Sequence, residues 1–221
     1  LAFPLHGLIR GRHIAKFLTK YLGEKTFHDL SKPFKVVATD CMNMKQVVFD
    51  SGRLRDAIMA SVSIPGVFQP YKIGDHYYID GGLLNPLPTN VLVEAGAKKI
   101  IAVNVLPSAE DIERSYELLN QKEEEALKHR AFFNNIVSKT KKKVVGIFKP
   151  NIFDVIVTSV QSIEYLLAQM SSLGQSDVTL HPDMTAVSWA AFERVEELVK
   201  RGEEETRLHL QEIKELATQP V

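Results

Sequence analysis

The stretch that decides the fold is Tyr71-Lys72-Ile73-Gly74-Asp75-His76-Tyr77-Tyr78-Ile79-Asp80-Gly81-Gly82. Gly74-Asp75 separates two short runs of β-formers, which predicts a tight hairpin. The second run delivers the chain straight into Asp-Gly-Gly. Asp80 is therefore expected at the C-terminal end of a strand, before a turn in which glycines permit close backbone approach. Enzymes of the α/β class place functional groups at such strand ends. Asp-Gly is also a common turn former, so the local chemistry leaves a merely capped turn open beside a catalytic one.

Working outward, Ala60-Ser61-Val62-Ser63-Ile64-Pro65-Gly66-Val67-Phe68-Gln69-Pro70 precedes the hairpin and Asn85-Pro86-Leu87-Pro88 follows it, so small and rigid residues bracket Asp80. Further upstream, Ile14, Phe17, Leu18, Tyr21 and Leu22 recur at helical spacing and Gly23 offers a stop, which predicts a helix over 12–22. Strands are expected over 34–39 and 46–49. Ser51 is expected to cap a helix through Ser61 that Pro65-Gly66 ends. Downstream, Pro88 opens a short helix closed by Gly96, and 99–105 reads as a fully buried strand. Helices over 109–129, 153–172 and 188–216, with a strand at 177–180, complete an α/β pattern. No repeat or Pro/Ser-rich linker divides the chain, so 1–221 is expected to form one domain with a charged, lysine-rich insertion at 107–150.

The composition excludes several classes. The 221 residues are 45% hydrophobic and 24% charged, which is a globular profile. Lys plus Arg (27) equals Asp plus Glu (27), so no global field favours nucleic acid. The single Cys41 forbids an internal disulfide and no apolar run is long enough for a membrane span, so a cytoplasmic location is expected. The start at Leu1, without Met, leads to the expectation that the chain is the interior of a longer protein. Lys139, Lys141, Lys142, Lys143 and Lys149 are interleaved with Val144, Val145, Ile147 and Phe148, a composition suited to peripheral contact with an anionic bilayer or to a solvated loop.

The run Ala60-Ser61-x-Ser63-Ile64-Pro65-x-x-Phe68-x-Pro70, followed by Asp80-Gly81-Gly82-x-x-Asn85-x-x-Pro88, resembles the second signature of the patatin-like phospholipases. Gly7-Leu8-Ile9-Arg10-Gly11 and Thr158-Ser159-x-x-Ser162 extend the similarity to small bacterial members, although its motif-grade part covers only 54–105. The resemblance implies a three-layer α/β/α domain, here incomplete at its N-terminus, and a lipid acyl hydrolase without a cofactor. In that family a serine in Gly-x-Ser-x-Gly attacks the ester and an aspartate of Asp-Gly-Gly acts as its base, which makes Asp80 the matching residue. Gly81, Gly82, Asn85, Ser63 and Pro65 are then expected to shape the site.

No serine of the chain is flanked by glycines at plus and minus two, and the family's glycine-rich oxyanion loop is likewise missing. Two explanations stand. Either these residues are the C-terminal part of a longer enzyme, or the chain is a relative that has lost chemistry and binds lipid or protein on the same scaffold. The start at Leu1 favours the first. The histidines His6, His13, His28, His76, His129, His181 and His209 show no metal-ligand spacing, and Cys41 has no matched base. His76, four residues before Asp80, is expected on the same strand face but too far away to pair with it.

Overall fold

Val36–Asp40 (β1) is the strand around which the first half of the chain is organised. It pairs antiparallel with Lys45–Phe49 (β2) on one side and with His76–Asp80 (β4) on the other, and Tyr71–Ile73 (β3) completes the order β2-β1-β4-β3. A strand with two neighbours cannot expose its backbone, and four of the five β1 residues are buried. This arrangement comes from a computed structural model describing residues 11–134, 152–172, 175–187 and 191–220.

The hairpin expected at Gly74-Asp75 is present. Ile73 faces His76 across a two-residue turn in which Gly74 has φ 61, the left-handed geometry glycine supplies at that position. Asp80 is the last residue of β4, paired with Ala38. Leu54–Ser61 (α2) lies against β1, β3 and β4, and Arg12–Leu22 (α1) lies against α2. The two apolar clusters beneath them are Phe27, Val36, Leu54 and Ala57, and Ala38, Ala60 and Tyr78.

Thr89–Glu94 (α3) and Ile101–Val103 (β5) begin the second half. β5 pairs in parallel with Val178–Leu180 (β6), and among the described residues this pair is not hydrogen-bonded to the antiparallel sheet. Ala109–Asn134 (α4) and Ile152–Ser172 (α5) lie between the two strands in sequence. Ala168 of α5 packs on Leu87 and Ala102, while Leu216 packs on Val178 and Leu180. The α/β class is as expected, with its strands divided between two groups.

Four local expectations are corrected. Ser51 does not cap α2: the cap position is Arg53, because residues 51–53 are drawn into backbone bonds with the segment before them, including a Thr26–Arg53 bridge and a Leu54 N–H to Lys25 C=O bond. The strand expected over 99–105 is only three residues long. Ile101 and Val103 are 44% and 48% exposed rather than buried, since their side chains face open grooves while Ala102 faces the core. The first charged helix continues past 129 to Asn134, as no Gly or Pro stops it.

The final helix is divided as well. Val195–Leu208 (α6) and Leu210–Thr218 (α7) meet at His209, whose ψ of 8 breaks the regular path. The break turns Ile213 and Leu216 onto β6. The lysine-rich stretch, Gly7–Arg10 and residues 188–190 lie outside the described residues.

Candidate active site

Asp80 is held from both sides by backbone. Its N–H donates to the carbonyl oxygen of Ser63 at 3.0 Å, and its Oδ1 accepts the N–H of Gly82 at 2.8 Å. The chain then enters a 3-10 turn over Gly81–Leu83, and the N–H groups of Leu84 and Asn85 both reach the Gly81 carbonyl. A Cβ on Gly81 would stand 2.3 Å from the Val37 carbonyl oxygen, so only glycine fits where the turn crosses β1.

The turn opens onto a cavity of ≈ 450 Å³. Val37, Ile58 and Val103 supply part of its apolar wall, and Asp80, Asn85 and Glu164 are among its polar points, with Lys35, Ser61 and Asn104. Burial pushes the Asp80 carboxyl up from its ordinary value, opposed by the Gly82 N–H. Glu164 is shifted further, to about 7, by burial and by the neighbouring Asp80 charge. A carboxylate with raised basicity at the mouth of a cavity is able to take a proton from a hydroxyl placed within reach.

The other site residues fall in distinct places. Ser63 is buried, does not line the cavity, and donates its hydroxyl to the Met59 carbonyl at 2.7 Å. Its part in the site is its own carbonyl, which anchors Asp80. Pro65 also stands off the cavity. It occupies the second position of a turn closed by the Val67 N–H on the Ile64 carbonyl, with Gly66 at φ 81 in the third, which is type II geometry. Asn85 lines the cavity, donates its amide to Gln46 and Asn90, and leaves its buried Oδ1 without a partner among the described residues.

His76 turns away from Asp80 and pairs with the buried Asp40 at 2.9 Å. Cys41 is half-buried and free. The sequence reading missed Glu164. The signal was present, because Val157, Glu164 and Ala168 share one helix face and the two apolar members are buried, so an acid among them is an anomaly.

Residues 1–93 match the family model of the patatin-like phospholipases. Over these residues the chain is similar to the patatin-like phospholipase family. An uncharacterised NTE family protein of Mycobacterium tuberculosis is 31% identical over 102 residues, which is 46% of this chain and 18% of that protein. A second from the same species is 35% identical over 99 residues, 45% of this chain and 28% of its own length. Neuropathy target esterase sws of Drosophila melanogaster is 31% identical over 108 residues, 48% of this chain and 8% of the fly protein. The chain thus spans less than a third of each of these relatives. Within residues 1–93 the one pair of glycines spaced by four, Gly7 and Gly11, brackets Ile9 rather than a serine. No described helix is long and apolar enough to cross a membrane.

Proposed function

We propose that the protein containing this chain hydrolyses carboxylic esters of lipids, and that Asp80 is the base of a Ser-Asp dyad whose serine lies outside these residues. The observation that carries this reading is the placement of Asp80, fixed by Ser63 and Gly82 and facing a largely apolar cavity. The family and the esterase named among its relatives supply the reaction class.

An ordinary aspartate, with a pKa of about 3.9, is a weak base for a serine hydroxyl, so burial has to raise its proton affinity. In the first step the serine Oγ bonds to the carbonyl carbon, its proton passes to Asp80, and the carbonyl electrons move onto oxygen. Collapse breaks the C–O bond and the Asp80 proton leaves with the alcohol. Water repeats the sequence on the acyl-serine. Oxyanion donors, each contributing about 10²–10³ in rate, are supplied from outside the chain as well, so these 221 residues alone are inactive.

The missing Gly-x-Ser-x-Gly supports a second reading, a non-catalytic lipid- or protein-binding domain. A fluorophosphonate probe separates the two. The full-length protein should label on one serine, and Asp80→Asn, which keeps an oxygen for the Gly82 N–H, should leave the fold intact and lower ester turnover by orders of magnitude. A folded full-length protein that never labels is the binding domain, and equal turnover in the variant removes Asp80 from the chemistry.

A further inference from the structure

The cavity holds two acids where the proposed reaction uses one. A Cβ built on Gly82 would lie 2.9 Å from Glu164 Oε1 and 3.2 Å from Asp80 Oδ1. The two carboxyl oxygens therefore flank the space beside the Gly82 backbone from different elements and stand within about 6 Å of each other, the range in which like charges oppose one another. No hydrogen bond joins them, and no described residue donates one to Glu164. Gly82 makes the approach possible, since any side chain there would displace the Glu164 carboxyl.

We propose that Glu164 is a positioning residue of the hydrolytic site, its charge setting the proton affinity of Asp80 across Gly82. The proposal rests on the hydrolase reading and adds to it a residue outside the family signature. Glu164 contributes no atom to the bonds made or broken. While it is neutral, Asp80 carries the only charge of the pair. When it ionises, the second negative charge strengthens the hold of Asp80 on the serine proton and the base step quickens.

Among the described residues the surroundings do not supply a compensating cation. Of the elements packed on α5, the 81–83 turn is adjacent to Asp80, α3 carries only the exposed Glu94, and β5 has no ionisable residue. On α5 itself Tyr165 faces His181. Lys35 lines the same cavity but its amine is engaged by Asp50 at 2.9 Å. Burial and the Asp80 charge accordingly hold the Glu164 proton up to about pH 7.

The test compares the full-length protein with its Glu164→Gln and Asp80→Asn variants. One arm follows kcat/KM for p-nitrophenyl butyrate against pH, and the other follows side-chain carboxyl titration by carbon NMR. The parent should gain about three- to tenfold in kcat/KM across pH 7, and Glu164→Gln should lose that step, its profile staying flat at the parent's lower, acid-side level. By NMR, one glutamate should titrate near 7 in the parent, move down in Asp80→Asn while staying above its ordinary value because burial, the larger cause, remains, and be absent from Glu164→Gln. Identical pH profiles in parent and Glu164→Gln, or a Glu164 midpoint that ignores Asp80→Asn, overturn the proposal. If no ester is cleaved the hydrolase reading falls, and the NMR arm still decides whether the two carboxyls are coupled.

Discussion

The backbone N–H of Asp80 donates to the carbonyl oxygen of Ser63 at 3.0 Å, tying the end of β4 to the chain leaving α2. The motifs that hold Ser63 and Asp80, residues 17 positions apart, are thus one structural unit. The Ser-Ile-Pro-Gly turn fixes where the Ser63 carbonyl points, and the carbonyl fixes the strand end that carries the carboxylate. Because Ser63 acts through its backbone, Ser63→Ala should preserve the anchor. The variant loses a buried hydroxyl bond to Met59, a cost of about 1 kcal/mol. A lowered thermal midpoint with unchanged fluorophosphonate labelling of the full-length protein is expected. Abolished labelling would make Ser63 the nucleophile instead.

The paired glycines should respond differently to the same methyl group. A Cβ on Gly81 meets the Val37 carbonyl oxygen at 2.3 Å and its carbon at 2.6 Å, both backbone atoms of the central strand. Neither can move without disturbing β1, so Gly81→Ala should destabilise the fold by about 2–4 kcal/mol. On Gly82 the nearest atom is the free end of Glu164 at 2.9 Å, which can swing aside. Gly82→Ala should cost about 1 kcal/mol or less. Urea denaturation of both variants checks the ranking, and equal losses would contradict it.

Much of this site was legible in the sequence because it rests on local chemistry. Gly74 requires a left-handed turn, a short β run follows, and Asp80 must then end a strand. The motif places Ser63 and Pro65 near the site, but spacing says nothing of which atom acts, and only the fold shows that the Ser63 hydroxyl is occupied and its carbonyl is not idle. Glu164 was missed because its partner lies 84 positions away, across a contact between α5 and the 81–83 turn that no local pattern encodes. The shortened β5 has the same origin. Apolar content predicts burial, yet burial requires a neighbour on each face, and Val103 faces a groove.

At the far end of the sheet, Asp40 provides a control for acid sensitivity unrelated to the cavity. It accepts the N–H groups of Met42 and Asn43, the Asn43 amide and His76 Nδ1. The Asn43 amide foremost, with His76, holds its carboxyl down from 3.8 to about 2. A lowered folded-state value means that the stabilisation is complete above the ordinary value and is lost as pH falls from 3.8 to about 2. Denaturation midpoints of the parent should drop over that window, and Asp40→Ala should be less stable at neutral pH with a shallower acid slope. Parallel slopes would remove Asp40 as the acid-sensitive group.

Glu164 carries the opposite sign. Its folded-state value is raised from 4.5 to about 7, so below 4.5 it is protonated in both states and contributes no pH dependence. Between 4.5 and about 7 the unfolded chain releases the proton while the folded chain retains it, and stability falls as pH rises through this window. Above the folded-state value the loss is complete and the curve flattens. Glu164→Gln is neutral throughout and escapes the penalty. Its stability should therefore pull ahead of the parent across the window and settle about 1–2 kcal/mol higher above it, allowing for the partial exposure of the side chain. Chemical denaturation at half-unit pH intervals measures the gap. A gap that is constant with pH would show that Glu164 ionises normally, and that its closeness to Asp80 across Gly82 has no electrostatic consequence.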